Sequence, residues 1–389
     1  MPIKNRFADM HDEITGWRRH LHENPELLFD TPKTSAFITE KLKEFGCDEV
    51  VGKIGRTGVV AVIKGKTNTS GKVVGLRADF DALPITEETG LEYASKTPGL
   101  MHACGHDGHT AMLLGAAKYL AETRNFDGTA VMIFQPAEEG GGGGKEMVDD
   151  GMMERWNVQE VYGMHNWPGQ ELGAFSIRPG PFFAATDQFE ISVEGLGGHA
   201  AKPNVCIDPT VVSSHIVLAL QSIASRNADP VGQIVVSVTS FETQTKAFNV
   251  IPQIVNLRGT VRTLEADMRD LAQERLTKLA ELTAQAYGAT ATVNYMRGYP
   301  ATVNHEVETN YAAAAASTVS GGCDTDAELV MGGEDFSYML ESRPGAYMLM
   351  GNGLDGAMVH HPKYNFNDEA IPSGCSWWAE MIESRMPAR

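Results

Sequence analysis

Thr129-Ala-Val-Met-Ile-Phe-Gln-Pro-Ala-Glu-Glu139 opens as a short apolar strand over Thr129 to Phe134 and empties into two adjacent acids and five glycines, Gly140 to Gly144. A brief apolar run ended by breakers is the pattern of a strand buried on both faces. The same arrangement recurs on either side. Upstream, Val73 to Ala78 reads as a strand that delivers Asp79 and Asp81; downstream, Glu160 to Met164 delivers His165-Asn-Trp-Pro168. In open α/β sheets, ligands bind beyond the carboxyl ends of the strands. Three strands ending in ligand-type side chains therefore predict an α/β domain with its site along that edge.

Between the first two of these strands lies Met101-His-Ala-Cys-Gly-His-Asp-Gly-His109, followed by apolar residues at helical spacing (Met112, Leu113, Ala116, Ala117, Leu120). A lone cysteine is usually a small buried hydrophobe and a lone histidine is usually just hydrogen-bonded. Packing alone would rarely select Cys104, His102, His106 and His109 together in one glycine-flexed turn, whereas a metal draws on this mixture of N and S donors. Glu138 and Glu139 supply the missing carboxylates. On an irregular loop adjacent side chains can diverge, so that one binds metal while the other stays free as a base. At a solvated strand end the same pair would be surface charge only. The glycines beside it permit close approach of backbone to a ligand.

The chain before this region reads as two amphipathic helices. Met10, Ile14, Trp17 and Leu21 share a face of the first, and the second runs through Ala36, Phe37, Leu42 and Phe45 to a terminating Gly46. Strands follow at Val59 to Ile63 and Val73 to Ala78, across the turn-rich Gly65 to Gly71. After Pro181 the pattern changes to strand (Phe189 to Glu194), helix (Thr210 to Ser225), strands (Ile234 to Phe241 and Ile254 to Val261), helix (Ala266 to Tyr287) and strand (Ala291 to Met296). That β-α-β-β-α-β order is ferredoxin-like. Helix Tyr311 to Ser317, strand Tyr347 to Met350 and a histidine-bearing loop then resume the first domain. The expected fold class is α/β: a catalytic domain of residues 1–185 and 301–389, with a mixed, largely parallel sheet flanked by helices, and an inserted ferredoxin-like lid or dimerisation domain of residues 186–300.

A length of 389 residues suits two or three domains, and 42% hydrophobic with 21% charged residues is ordinary globular composition. A net charge of −18 without any Lys/Arg-rich run disfavours nucleic acid and anionic membranes as partners. Five scattered cysteines without a C-x-x-C pair suggest a reducing compartment, and no segment has the apolar length of a signal peptide or membrane span, so the expected location is cytoplasmic. Gly140 to Lys145 fails as a phosphate loop because Glu139 holds the first glycine position and Glu146 follows the lysine. Gly195-Leu-Gly-Gly-His-Ala200 fails as a dinucleotide fingerprint because Pro203 interrupts any following helix.

The ordered motifs Arg77-Ala-Asp-Phe-Asp-Ala-Leu-Pro84, Met101 to His109, Gln135-Pro-Ala-Glu-Glu-Gly140, Gly163-Met-His-Asn166, Gly197-Gly-His-Ala200, Asn249-Val-Ile-Pro252 and Gly332-Gly-Glu-Asp-Phe336 span essentially the whole chain. In them the sequence resembles the M20 metallopeptidase superfamily, in its branch of hippurate hydrolases, N-acyl amino acid amidohydrolases and plant auxin-conjugate hydrolases. The resemblance implies two divalent metal ions held by Cys104, His106, Glu139, His165 and His360, with Glu138 as general base. Within Val359-His-His-Pro362, spacing from Pro362 selects His360, and His361 stands where the family usually has Ser or Asn, which leaves it as an alternative ligand or substrate contact. It further implies a homodimer in which His199 reaches the partner's active site, and Asn249 near the substrate carboxylate. Thiolate and imidazole donors favour Zn, Mn, Co or Ni. Asp79, Asp107 and His109 suit supporting roles better than ligation. The expected substrate is a small acyl amino acid, with Trp167, Phe182 and Phe183 either walling its acyl group or belonging to the core. The alternatives are a dipeptidase of the same superfamily and a catalytically silent metal-containing binding protein.

Overall fold

The computed structural model describes residues 4–388. The chain forms two units. One comprises Met1–Gly180, Val303–Glu328 and Asp335–Arg389; the other comprises Pro181–Thr302 and Leu329–Glu334. Sequence reading cut the chain at 185 and 300. The segment 329–334 joins the second unit because the Ala184 amide donates to the carbonyls of both Val330 and Gly332, each at 3.0 Å.

The first unit is built on a seven-stranded sheet. Its spatial order is Glu49–Ile54, Gly58–Lys64, Thr129–Gln135, Val73–Asp79, Glu160–Trp167, Gly345–Gly351, Phe175–Ser176. The four strands from Thr129–Gln135 to Gly345–Gly351 run parallel, and the outer ones pair antiparallel. This is the mixed, largely parallel sheet that the apolar runs predicted. Among the elements that escaped the sequence reading are the edge strand Glu49–Ile54, the short edge strand Phe175–Ser176 and the C-terminal helix Ile371–Arg385. Register sets Asp79 opposite Gln135 and His165 opposite Leu349, so the polar ends of the parallel strands emerge along one edge. The helix His106–Thr123 is buried around most of its circumference and packs against Ile371–Arg385 and His11–Glu23. Apolar residues on most sides of its middle turns, Ala111 to Ala117, are what this core position demands.

In the second unit the strands Ala185–Glu194, Ile234–Thr243, Ile254–Thr263 and Thr290–Arg297 form an antiparallel sheet, which the helices Pro209–Ser222 and Ala266–Ala286 cover. Numbered by sequence, their spatial order is 2-3-1-4, the ferredoxin-like arrangement. Strict alternation of buried and exposed residues along Ala185–Glu194 gives this unit its own core of Phe189, Ile191 and Val193 with Val212, Ile216, Leu257 and Leu276. Among the described residues no helix is long and apolar enough to cross a membrane.

Candidate active site

The first unit gathers Cys104, His106, Glu138, Glu139, His165 and His360. Ligand atoms lie within 4.8 Å of one another in three overlapping groups: Cys104, His106 and His165; Cys104, Glu139 and His360; His106, Glu138 and Glu139. Each side chain arrives by a different local device. Gly105, at φ +90°, turns the chain sharply between Cys104 and His106, and a Cβ there would collide with the Asn166 amide. Only glycine suits both constraints. After the strand Thr129–Gln135, Ala137 takes a left-handed φ of +55°, and the next two amides both donate to Asp81, Glu138 to Oδ1 at 3.0 Å and Glu139 to Oδ2 at 3.1 Å. Asp81, expected only as a ligand-type residue at a strand end, thereby fixes the loop that carries both glutamates. His360 also sits at positive φ, +66°, with its amide bonded to the Ala103 carbonyl at 2.7 Å, which ties it to the Cys104 turn. His361 belongs to none of the groups; its Nδ1 accepts from the Lys363 amide.

Proton placement on the rings suits metal binding. His106 Nδ1 donates to the Asp81 carbonyl at 2.9 Å, and His165 Nδ1 donates to the Asn166 carbonyl. Each bond leaves Nε2 as the lone-pair nitrogen, the usual way a ligating imidazole is oriented. His106 Nε2 and Glu139 Oε1 are buried without a hydrogen-bond partner, and His165 Nε2 lies 3.2 Å from Cys104 Sγ. Buried polar atoms left unsatisfied are costly, so acceptors converging in this way call for a cation. Burial pushes the Cys104 thiol well above its ordinary range, and Glu139, Glu138 and Asp79 push it further. Burial alone would lower His106, but Asp79, Asp81 and Glu139 outweigh it and raise the ring to about 10, so without a metal ion Nε2 carries a proton whose place a bound cation would take. The cluster is thus rich in negative charge that divalent ions would neutralise, and its residues fit a metal centre.

His109 is engaged elsewhere: Nδ1 donates to Asp79 at 2.6 Å and Nε2 accepts from the Asn166 amide at 2.9 Å. His102 is buried and belongs to none of the groups. The glycine run serves packing rather than ligand approach at Gly143, where a Cβ would collide with the Pro136 carbonyl of its own chain. Phe182 and Phe183 are buried and pair edge to face at 5.0 Å, so they are core. In the second unit, His199 and Asn249 are neighbours on a two-stranded ribbon. His199 pairs with Val250, and Ala200 donates to the Asn249 carbonyl at 3.0 Å. Both side chains are exposed, and His199 Nδ1 accepts from the Ala201 amide at 3.1 Å, which puts the ring proton on Nε2.

The chain is similar to known proteins over nearly its whole length. The family model described as peptidase family M20/M25/M40 matches residues 75–384. A hippurate hydrolase from Campylobacter jejuni is 41% identical over 98% of both chains. An N-acetylcysteine deacetylase from Bacillus subtilis is 39% identical over 95% of this chain and 96% of its own. Among solved structures, a dinuclear metal-binding peptidase of the M20 family from Bacillus subtilis superposes with a TM-score of 0.85 at 35% identity, covering 98% of this chain and all of that one. With matches of this length and identity, the chain belongs to peptidase family M20/M25/M40.

Proposed function

We propose that this protein is a metal-dependent amidohydrolase that cleaves N-acyl amino acids of the hippurate type to a carboxylic acid and a free amino acid. One observation carries the reading: five side chains of metal-ligand type, Cys104, His106, Glu139, His165 and His360, fall into overlapping groups of three, and Glu138 shares one of these groups. The assigned ligands are Cys104, His106, Glu139, His165 and His360. There two divalent ions of the Zn, Mn, Co or Ni class would supply Lewis acidity toward the scissile carbonyl and toward the attacking water. Glu138, 7% exposed, takes the proton from that water and returns it to the leaving nitrogen as the C–N bond breaks. His199, with its proton on Nε2, is the donor assigned to the developing oxyanion, and Asn249 is the donor for the substrate carboxylate. The assembly is a homodimer in the cytoplasm, where the buried Cys104 thiol stays reduced.

The test compares kcat/KM for benzoylglycine, its methyl ester and an unblocked dipeptide. The acyl amino acid is expected to be preferred, because esterification removes the negative charge and one acceptor oxygen of the carboxylate that Asn249 is assigned to bind. Preference for the ester discards carboxylate recognition, and preference for the dipeptide makes the protein a peptidase. Full activity after exhaustive chelation discards the metal.

A further inference from the structure

A second buried polar cluster lies beside the site. Arg18 and His22, one turn apart on the helix His11–Glu23, are fully buried, and Asp107 is 1% exposed. His22 Nδ1 donates to Asp107 Oδ2 at 2.8 Å, and its Nε2 lies 3.3 Å from Glu87 Oε1. Arg18 Nη1 stands 3.7 Å from the same Asp107 oxygen. The rest of the guanidinium binds Asp368 Oδ1 at 2.7 Å, the Phe366 carbonyl at 2.7 Å and Asn365 Oδ1 at 3.1 Å. Burial alone would lower His22, but its bonds to Asp107 and Glu87 outweigh this and hold it at about 9, so the ring can donate from both nitrogens.

Burying such charges is expensive, and an apolar replacement of similar volume is often neutral or stabilising. A packing role alone therefore does not account for them. Their place in the chain suggests one that does. Asp107 directly follows His106 in the first turn of its helix, a turn whose N-cap is Gly105, with no side-chain capping bond. No side chain of the turn caps it, and the side chains that hold it from outside include Asn166, whose Nδ2 donates to the Cys104 carbonyl at 2.7 Å, and His22, which Asp107 reaches. Arg18 links the same carboxylate to the 365–368 segment that follows His360.

We propose that Arg18, His22 and Glu87 are positioning residues that act through Asp107 to hold the Cys104–His106 turn in its metal-binding arrangement. The proposal rests on the metal reading above and concerns how the same site is kept in shape. Loss of a partner one bond removed from a ligand typically lowers metal affinity about 10- to 100-fold.

The test uses the full-length metal-loaded protein and reads apparent affinity by chelator competition, with the thiolate-to-cobalt absorption of the Co(II) form reporting Cys104 ligation. His22→Asn keeps a donor near the Nδ1 position facing Asp107; His22→Gln keeps one near Nε2 facing Glu87; His22→Phe keeps the ring and neither donor. The Gln and Phe variants are expected to lose about tenfold or more in affinity, with a weakened cobalt band, while Asn recovers most of it. On an Asp107→Asn background, His22→Phe should cost no further affinity. Equal affinities for the Asn and Gln variants, or losses that only follow the melting temperature of the metal-free protein, would overturn the proposal. If His22→Phe does not accumulate, the Asn and Gln pair decides alone. Wild-type protein that takes up no metal would instead bring down the proposed function, a distinguishable result.

Discussion

Glu138 and Glu139 are neighbours on one loop, yet they occur in different combinations with the surrounding donors. Glu139 shares a group with Cys104 and His360, its Oε1 lying 3.4 Å from His360 Nε2, whereas Glu138 joins only His106 and Glu139 among the assigned residues. This division gives the first prediction. Glu138→Gln should lower kcat by about 10²- to 10⁴-fold while metal content, measured by elemental analysis, stays near that of the wild type. Metal lost together with turnover would mean that the two roles are reversed. At this scale the ligand-type residues were legible because their chemistry is unusual in a core. Arg18 and His22 were not, and Asp81 was legible only as a strand-end acid, not as the anchor of the glutamate loop. Nothing in the apolar spacing of the first helix marks Arg18 and His22 as buried, since a polar residue signals its burial only through its partners, and these come from residues 87, 107 and 365–368.

Elements explain what spacing revealed and what it hid. The strands of the ferredoxin-like unit alternate between core and solvent and so announce themselves, while the buried parallel strands appear as continuous apolar runs. The C-terminal helix was hidden because Gly374, Cys375, Ser376, Trp377, Trp378 and Ala379 are all buried, and a helix covered on every side loses its 3.6-residue signature. The edge strand Glu49–Ile54 was hidden for the opposite reason: it is mostly exposed and is broken by an irregularity at Lys53, where φ is +64°.

Two predictions belong to elements. Gly105→Ala forces a side chain into a left-handed turn and against Asn166, which should destabilise the protein by roughly 1–3 kcal/mol and impair metal uptake together, read by denaturant titration and elemental analysis. The second concerns Glu160, where the strand Glu160–Trp167 meets the C-terminal helix. Burial would raise this carboxyl, but Arg385 at 2.8 Å and Lys72 at 2.6 Å outweigh it and hold it at about 2, below its ordinary 4.5. A depressed carboxyl contributes stability that is fully present above about pH 4.5 and is lost as pH falls toward 2. Metal-free Glu160→Gln should therefore show a lower urea midpoint than wild type at pH 6, and the gap should narrow as pH drops from 4.5 to 3. A gap that stays constant would remove this tie from the account of stability.

On the scale of the whole molecule, the two units have separate cores, and the proposed dimer gives their division of labour a direct test. His199→Ala and Glu138→Gln proteins, each inactive alone, should recover partial activity when mixed under conditions of subunit exchange, because one site of the hybrid then has both residues. Exchange without recovery would refute the cross-subunit role of His199.

The sheet of the first unit is closed by a strand that arrives after the whole ferredoxin-like insertion: Gly345 pairs with Val161, and His360 and the helix Ile371–Arg385 come later still. Pairings between segments this remote are the slow ones to form, and a chain emerging from the ribosome can complete the insertion while the sheet that precedes it still lacks its neighbour. During that interval the open edge of Glu160–Trp167, including His165 and its apolar companions, is exposed to pairing with other chains. The proposed metal centre consequently cannot be completed until late in synthesis, and a chain stopped short of residue 360 carries four of the five assigned ligands and no complete site.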